Sequence, residues 1–135
     1  NVINCNFENE TFAAYIMGDA ENKSAITNCQ NNAVDGGNAN IYALRGYGGG
    51  IVAYARYTNI HNCKSTVTMR GINSPARLGG IAAYLNNSNI DNCTATSTSL
   101  LSDNSTFIGG IASHVNAGSA VKNSTFNGII TTSGP

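Results

Sequence analysis

Four sets of side chains in this sequence could do chemistry. Cys5, Cys29, Cys63 and Cys93 supply four thiols, with Ser124 at a fifth matching place. Such a set suits a disulfide framework or a zinc centre. His61, Asp91 and Lys122 place a potential base, a carboxylate and an ammonium group at matching positions. Asp19, Glu21 and Asp35 are carboxylates, the groups on which polysaccharide-cleaving enzymes depend. Tyr15, Tyr54, Tyr84 and His114 form an aromatic series that could hold sugar rings or stack on itself.

None of these sets assembles into a catalytic constellation. The thiols include no CxxC pair, and the histidines are far from them in the pattern, which argues against zinc. Cysteines stacked in one ladder have parallel Cα–Cβ vectors, which disfavours the near-perpendicular S–S torsion. Ser124 replaces the thiol altogether, so free, buried thiols are expected. The three acids fall in stretches read as loops, Asp91 and Asp103 are isolated, and no nucleophile elbow is visible. The expectation is therefore no enzyme, no cofactor and no metal site.

The series recur because the chain repeats. Residues 49–63 read GGIVAYARYTNIHNC, 79–93 read GGIAAYLNNSNIDNC and 109–124 read GGIASHVNAGSAVKNS. The pairs Gly49-Gly50, Gly79-Gly80 and Gly109-Gly110 follow one another at thirty residues, a repeat signature. Upstream, Phe12-Ala13-Ala14-Tyr15 reads as a counterpart of Ile81-Ala82-Ala83-Tyr84, and Ile26-Thr27-Asn28-Cys29 of Ile90-Asp91-Asn92-Cys93. That alignment leaves 18–24 as a bulging loop, with a second loop in 30–48. Both termini cut through a repeat, as expected of a piece of something longer or of ends that meet a neighbour.

Within a repeat the apolar residues alternate, as in Ile81, Ala83 and Leu85, and glycine pairs or Asn-rich turns interrupt each run after about five residues. Short strands follow, two or three to a coil, too small to bury an apolar face without stacking on the next copy. Inward ladders are predicted at Phe12/Ile51/Ile81/Ile111, Ala14/Ala53/Ala83/Ser113, Ile16/Ala55/Leu85/Val115 and Ile26/Ile60/Ile90/Val121. The glycines before each Ile mark corners where a side chain would collide or φ must be positive. Asn4, Asn28, Asn62, Asn92 and Asn123 form an amide ladder at turns, expected to be inward and paired. Cys5, Cys29, Cys63, Cys93 and Ser124 form the buried column beside it. The predicted architecture is all-β, a single parallel β-helix (β-solenoid) of about thirty residues per coil and four to five coils. Its parts are a partial coil 1–11, coils 12–50, 51–80 and 81–110, and a partial coil 111–135.

Gly-Gly-Ile-Ala followed by Ser-Asn-Ile-Asp-Asn-Cys resembles the GLUG-type repeat, whose pattern is roughly GGLVG, a short polar turn, then I-x-N-C/S. The resemblance covers most of 49–124 and, more loosely, 2–29. It departs where the third family glycine becomes Ala53, Ala83 or Ser113. It implies a right-handed β-helix in secreted or surface-anchored proteins, often beside adhesin or protease modules, and carries no catalytic residues.

Surface and composition complete the expectations. Seven Lys and Arg balance seven Asp and Glu, so neither nucleic acid nor an anionic membrane is a partner, and no apolar run is long enough for membrane insertion. Asn9, Asn22, Asn86 and Asn104 are the expected N-glycosylation acceptors, whereas Asn92 and Asn123 head sequons but are expected to be inaccessible. Together these features point to an extracellular or cell-surface structural or adhesive solenoid, a stalk segment or fibril subunit that self-associates through its terminal coils. The alternative is a carbohydrate-binding module or β-helical polysaccharide-acting enzyme using the tyrosine strip for glycan contacts and the loop acids Asp19, Glu21 and Asp35. The pairs Thr66/Thr68 and Thr96/Thr98 add a minor one, an ice-binding solenoid.

Overall fold

The computed structural model describes residues 6–8, 12–14, 17–21, 23–31, 40–43, 46–66, 68–71, 76–103 and 107–133. Its strands form four parallel sheets stacked in a repeating order, a β-solenoid of about four coils. Face A carries Phe12–Ala14, Gly46–Gly49, Ala76–Gly79 and Phe107–Gly109; face B carries Met17–Ala20, Val52–Arg56, Ala82–Asn86 and Ala112–Val115. Face C carries Ala25–Thr27, Asn59–His61, Asn89–Asp91 and Ala120–Lys122. Face D carries Asn6–Glu8, Asn40–Ala43, Thr68–Gly71, Thr94–Asp103 and Thr125–Ser133, with Lys64–Ser65 also pairing on Thr94–Asp103. A coil thus holds four strands where the sequence suggested two or three. The extra corner lies between faces B and C, at Lys23, Tyr57, Asn87 and Gly118, all at positive φ.

The thirty-residue period is the register of the stack: Gly79 pairs with Gly49 on one side and Gly109 on the other. The first coil departs from the sequence alignment. Phe12 pairs with Tyr47, and Ala14 with Gly49, so the Phe-Ala-Ala segment belongs to face A. Face B of that coil is Met17–Ala20, with Met17 opposite Val52, Asp19 opposite Tyr54 and Ala20 opposite Ala55. The expected loop at 18–24 is therefore strand as far as Ala20, and neither Phe12 nor Ala14 stands in the column assigned to it. The real insertion is on face D, where ten residues lie between Gln30 and Ile41 while four lie between their partners Lys64 and Met69. Residues 32–39 within it lie outside the described set.

Stacking makes the core continuous. Ile51, Val52, Ala55, Ile60, Cys63, Ile81, Ala82, Leu85, Ile90, Cys93 and Ala95 form one buried cluster, joined by Ala20 and Ile26 from the first coil. The ladder Ile26/Ile60/Ile90/Val121 and the last three members of Ile16/Ala55/Leu85/Val115 are in register as the sequence indicates, but Ala20 stands opposite Ala55 where Ile16, outside the described residues, was expected. Strict alternation fails at the corner. Ala53 and Ala83 are buried but outside this cluster, and Val52 and Ala82 take the core positions. The register skips that column, and its third member, Ser113, donates its hydroxyl to Phe107 O on face A at 2.9 Å.

The glycine pairs answer to space, not to positive φ. A Cβ on Gly79 would stand 1.8 Å from Ala82 O, where the chain folds from face A to face B. A Cβ on Gly80 would stand 2.1 Å from Gly110 O and 2.7 Å from Ala95 Cβ. The second glycine of each pair thereby clears room for the face D column Ser65/Ala95/Phe126.

Candidate functional site

Each coil has two corners of the same design, one on either side of face C. The first is Lys23, Tyr57, Asn87 and Gly118; the second is Asn28, Asn62, Asn92 and Asn123, with φ between 48° and 56°. Asn tolerates this left-handed conformation better than most residues, the reason for its recurrence. A small hydrogen-bonding residue follows each corner. After the first, Thr58 and Ser88 donate to the carbonyls two residues back at 3.0 and 2.9 Å. They also knit the stack, because Thr58 N donates to Ser88 Oγ at 3.0 Å and Ser88 N to Ser119 Oγ at 3.1 Å. After the second corner, thiols do this work. Cys29, Cys63 and Cys93 donate to Thr27 O, His61 O and Asp91 O at 3.4, 3.3 and 3.4 Å, and Ser124 to Lys122 O at 2.7 Å.

The asparagine column is outward. Asn28, Asn62, Asn92 and Asn123 are exposed, because the residue at the bend lies on its outer side and lets the next one point in. The amides still form a ladder: Asn62 Nδ2 donates to Asn28 Oδ1 at 2.6 Å and Asn92 Nδ2 to Asn62 Oδ1 at 3.1 Å. Asn123 Nδ2 turns instead to Asp91 Oδ1 at 2.9 Å. Burial therefore does not shield Asn92 or Asn123 from modification; their amide nitrogens are engaged in hydrogen bonds. The fully buried amide among the described residues is Asn31, which no repeat pattern singles out. Its Nδ2 donates to Gly50 O and to Ser65 Oγ, and its Oδ1 accepts from Thr66 N at 2.6 Å.

Cys63 and Cys93 are free and buried, and Cys29 is free and half-buried. A hydrogen bond with the Cys93 thiol, then burial, pushes the Cys63 thiol up; the same contact pulls Cys93 down to about 7 against the opposing effect of burial. Burial chiefly raises Cys29 as well. Asn4, Cys5, Asn9, Tyr15, Asn22 and Asn104 lie outside the described residues, as does Asp35.

On face B, Tyr54 and Tyr84 stack with ring centroids 4.9 Å apart and planes 6° apart, and Tyr84 and His114 at 4.6 Å and 12°. The first-coil partner of Tyr54 is Asp19, not Tyr15. Tyr47 on face A, absent from the predicted strip, meets Tyr54 and Tyr84 edge-on at 5.5 and 5.7 Å across the glycine corner. Arg77 lies between Tyr47 and Phe107, its guanidinium carbon 5.4 Å from each ring centroid. Arg56 covers Tyr54 at 5.4 Å, donates to its hydroxyl at 3.3 Å and pairs with Glu21 at 3.2 Å. Both faces of the Tyr84 ring are spent on other rings, and Tyr54 is covered by Tyr84 and Arg56. What the strip offers a partner is ring edges.

Face C carries the charged column. His61, Asp91 and Lys122 are in register, and His61 Nδ1 lies 3.5 Å from Asp91 Oδ2. Asp91 divides itself between His61 and Asn123, and no ion pair joins it to Lys122. Beside it Asn89 Nδ2 donates to Asn59 Oδ1 at 3.1 Å. Between the two columns lies a hollow of about 390 Å³ lined by Asn59, His61, Asn89, Asp91, Ala120 and Lys122. Of the three acids, Asp19 sits on strand Met17–Ala20 and Glu21 is held by Arg56, whose guanidinium also feels the Asp19 charge; Asp35 lies outside the described residues. The threonine steps align only in part: Lys64 and Ser65 stand opposite Thr94 and Ala95 at an offset of thirty, but the offset is lost before the second step. Met69 stands opposite Leu100, an offset of thirty-one where aligned steps need thirty, and the register shifts again between Thr96 and Ser99.

The fold and its columns define a parallel β-solenoid whose corners, not a pocket, organise its side chains. Residues 74–99 match the GLUG motif, a span that runs from before the Gly79-Gly80 corner to beyond the Asn92-Cys93 corner. No curated protein and no solved structure matches the chain.

Proposed function

We propose that this chain is a non-catalytic structural or adhesive segment of an extracellular or cell-surface solenoid, and that it associates end to end with further copies of itself. The observation that carries this reading is the last rung. Its four strands, Phe107–Gly109, Ala112–Val115, Ala120–Lys122 and Thr125–Ser133, are paired on one side only. Columns buried in the rungs beneath surface there: Val115 is 47% and Val121 38% exposed, where Leu85 and Ile90 are fully buried. Unpaired parallel edges with apolar side chains are templates for another strand. Continuing the register onto a first rung would set Val121 on Ile26, Asn123 on Asn28 and His114 on Asp19, pairing apolar with apolar and base with acid.

Light scattering across a concentration series, with negative-stain imaging, tests this. Rods or dimers that dissociate on Val121→Lys are expected; a monomer at every concentration would overturn the reading.

A second reading, a glycan-binding module, is favoured by the hollow on face C. Asn59, Asn89, Asp91 and His61 offer both donors and acceptors there, repeated at the rung spacing of about 4.8 Å. Glycan binding lost on Asn89→Ala and Asp91→Ala but retained on Tyr54→Ala would establish it. No binding on a broad glycan array would remove it.

A further inference from the structure

The two corners flanking face C provide a control within one molecule. Thr58 and Ser88 are fully buried, their hydroxyls donate to the carbonyl two residues back, and their backbone N–H groups donate to the hydroxyl one rung on, Ser88 Oγ and Ser119 Oγ. Cys63 and Cys93 have the same burial and the same two bonds: each thiol donates to the carbonyl two residues back, and each backbone N–H donates one rung on, Cys63 N to Cys93 Sγ at 3.4 Å and Cys93 N to Ser124 Oγ at 3.1 Å. Neither burial nor the hydrogen-bond pattern requires sulfur, since Ser124 in the same column does the job with oxygen. What the thiol adds is affinity for soft cations.

We propose that the cysteine column binds one soft, two-coordinate monovalent cation of the silver(I) or copper(I) class, held by Cys63 and a neighbouring thiol. Strand continuation keeps the column in register, with Lys64 N on Cys29 O and Thr94 N on Cys63 O, both at 2.9 Å. Equivalent positions one rung apart are separated by about 4.8 Å. Two metal–sulfur bonds of about 2.3 Å span that gap in a line. Each bound thiol breaks its S–H bond and releases the proton to solvent as the metal–sulfur bond forms. Entry is through Cys29, which lines a surface hollow of about 270 Å³ with Asn28, Gln30, Asn62 and Lys64. Two thiols suffice for such a cation, whereas a structural zinc needs four ligands.

The geometry makes Cys63 the shared ligand, because Cys29 and Cys93 stand two rungs apart, about 9.6 Å by the rung spacing, too far to be bridged by one ion. Silver(I), which needs no reductant, is titrated into the chain carrying Cys5→Ser, and the complex is followed by native mass spectrometry and by sulfur-to-metal charge-transfer absorption. A single stoichiometric equivalent is expected. It should vanish in Cys63→Ser and in the Cys29→Ser/Cys93→Ser double variant. It should persist in at least one of the single variants Cys29→Ser and Cys93→Ser, and persistence in one alone fixes which pair holds the ion. Absence of a stoichiometric complex, retention in Cys63→Ser or in the double variant, or loss in both single variants overturns the proposal. Thermal unfolding of each variant confirms that serine is accepted, as at Ser124, and the double variant keeps the test decisive if Cys63→Ser fails to fold.

Discussion

At the scale of the residue, the corners decide what is tolerated. Asn92 combines a left-handed backbone, φ 52°, with a ladder bond to Asn62. Alanine there would carry the strain of that conformation, about 1–2 kcal/mol, and lose the bond, whereas glycine loses only the bond. Asn92→Ala should therefore unfold at lower urea than Asn92→Gly, by about 1 kcal/mol. Gly80 is stricter, because a Cβ would run into the backbone oxygen of Gly110, which has no rotamer to yield. Gly80→Ala should cost at least the 1–3 kcal/mol typical of overpacking, read from the denaturation midpoint. The thiols grade by position. Among the described thiols Cys29 is half-buried and Cys63 and Cys93 are enclosed, so iodoacetamide should modify Cys29 before Cys63 and Cys93, which should react only on unfolding, as peptide mapping would read. Because burial raises the Cys29 pKa, its alkylation at pH 8 should be slower than that of a free cysteine.

At the scale of the element, single rungs are too short to stand alone, and their side-chain ladders contribute register. Tyr84 stacks on Tyr54 below and His114 above, while His114 has Tyr84 alone among the stacked rings. Each aromatic contact contributes about 0.5–1.5 kcal/mol beyond its buried area. Tyr84→Ala should thus destabilise more than His114→Ala, and a double-mutant cycle between the two should return a coupling within that range. Face D is the irregular element. Its offset of thirty-one at Met69 and its shift between Thr96 and Ser99 break any flat threonine array, so the chain should show no thermal hysteresis in ice-growth assays.

At the scale of the whole molecule, stability passes between neighbouring rungs. The central coil has a partner on each side, and the last has one. Amide exchange should therefore be slowest in Ala82–Asn86 and Asn89–Asp91 and fastest in Ala112–Val115 and Ala120–Lys122. Association through that rung would slow its exchange as concentration rises, linking this measurement to the light-scattering test. A head-to-tail contact is heterologous, so rods rather than closed dimers are its natural outcome.

The sequence by itself determined the solenoid, its thirty-residue period and most core ladders. Gly79-Gly80, Ile81, Leu85, Ile90 and the Asn92-Cys93 corner occupy places that only stacking of like on like can satisfy. The central coil was legible because each of its positions is written three times. The first coil was not: Phe12-Ala13-Ala14-Tyr15 mimics a face B strand in composition, but pairing energy is summed along the whole rung, and the structure gives face B to Met17–Ala20. Periodicity also left the sidedness of the corners open, since it cannot tell a residue at a bend from the one after it. Backbone handedness at the corner sent the asparagines outward and the cysteines in. Only the tertiary structure showed that buried hydroxyls and buried thiols do the same work at two matching corners, because that equivalence lies in the geometry of the coil and not in the spacing of the residues.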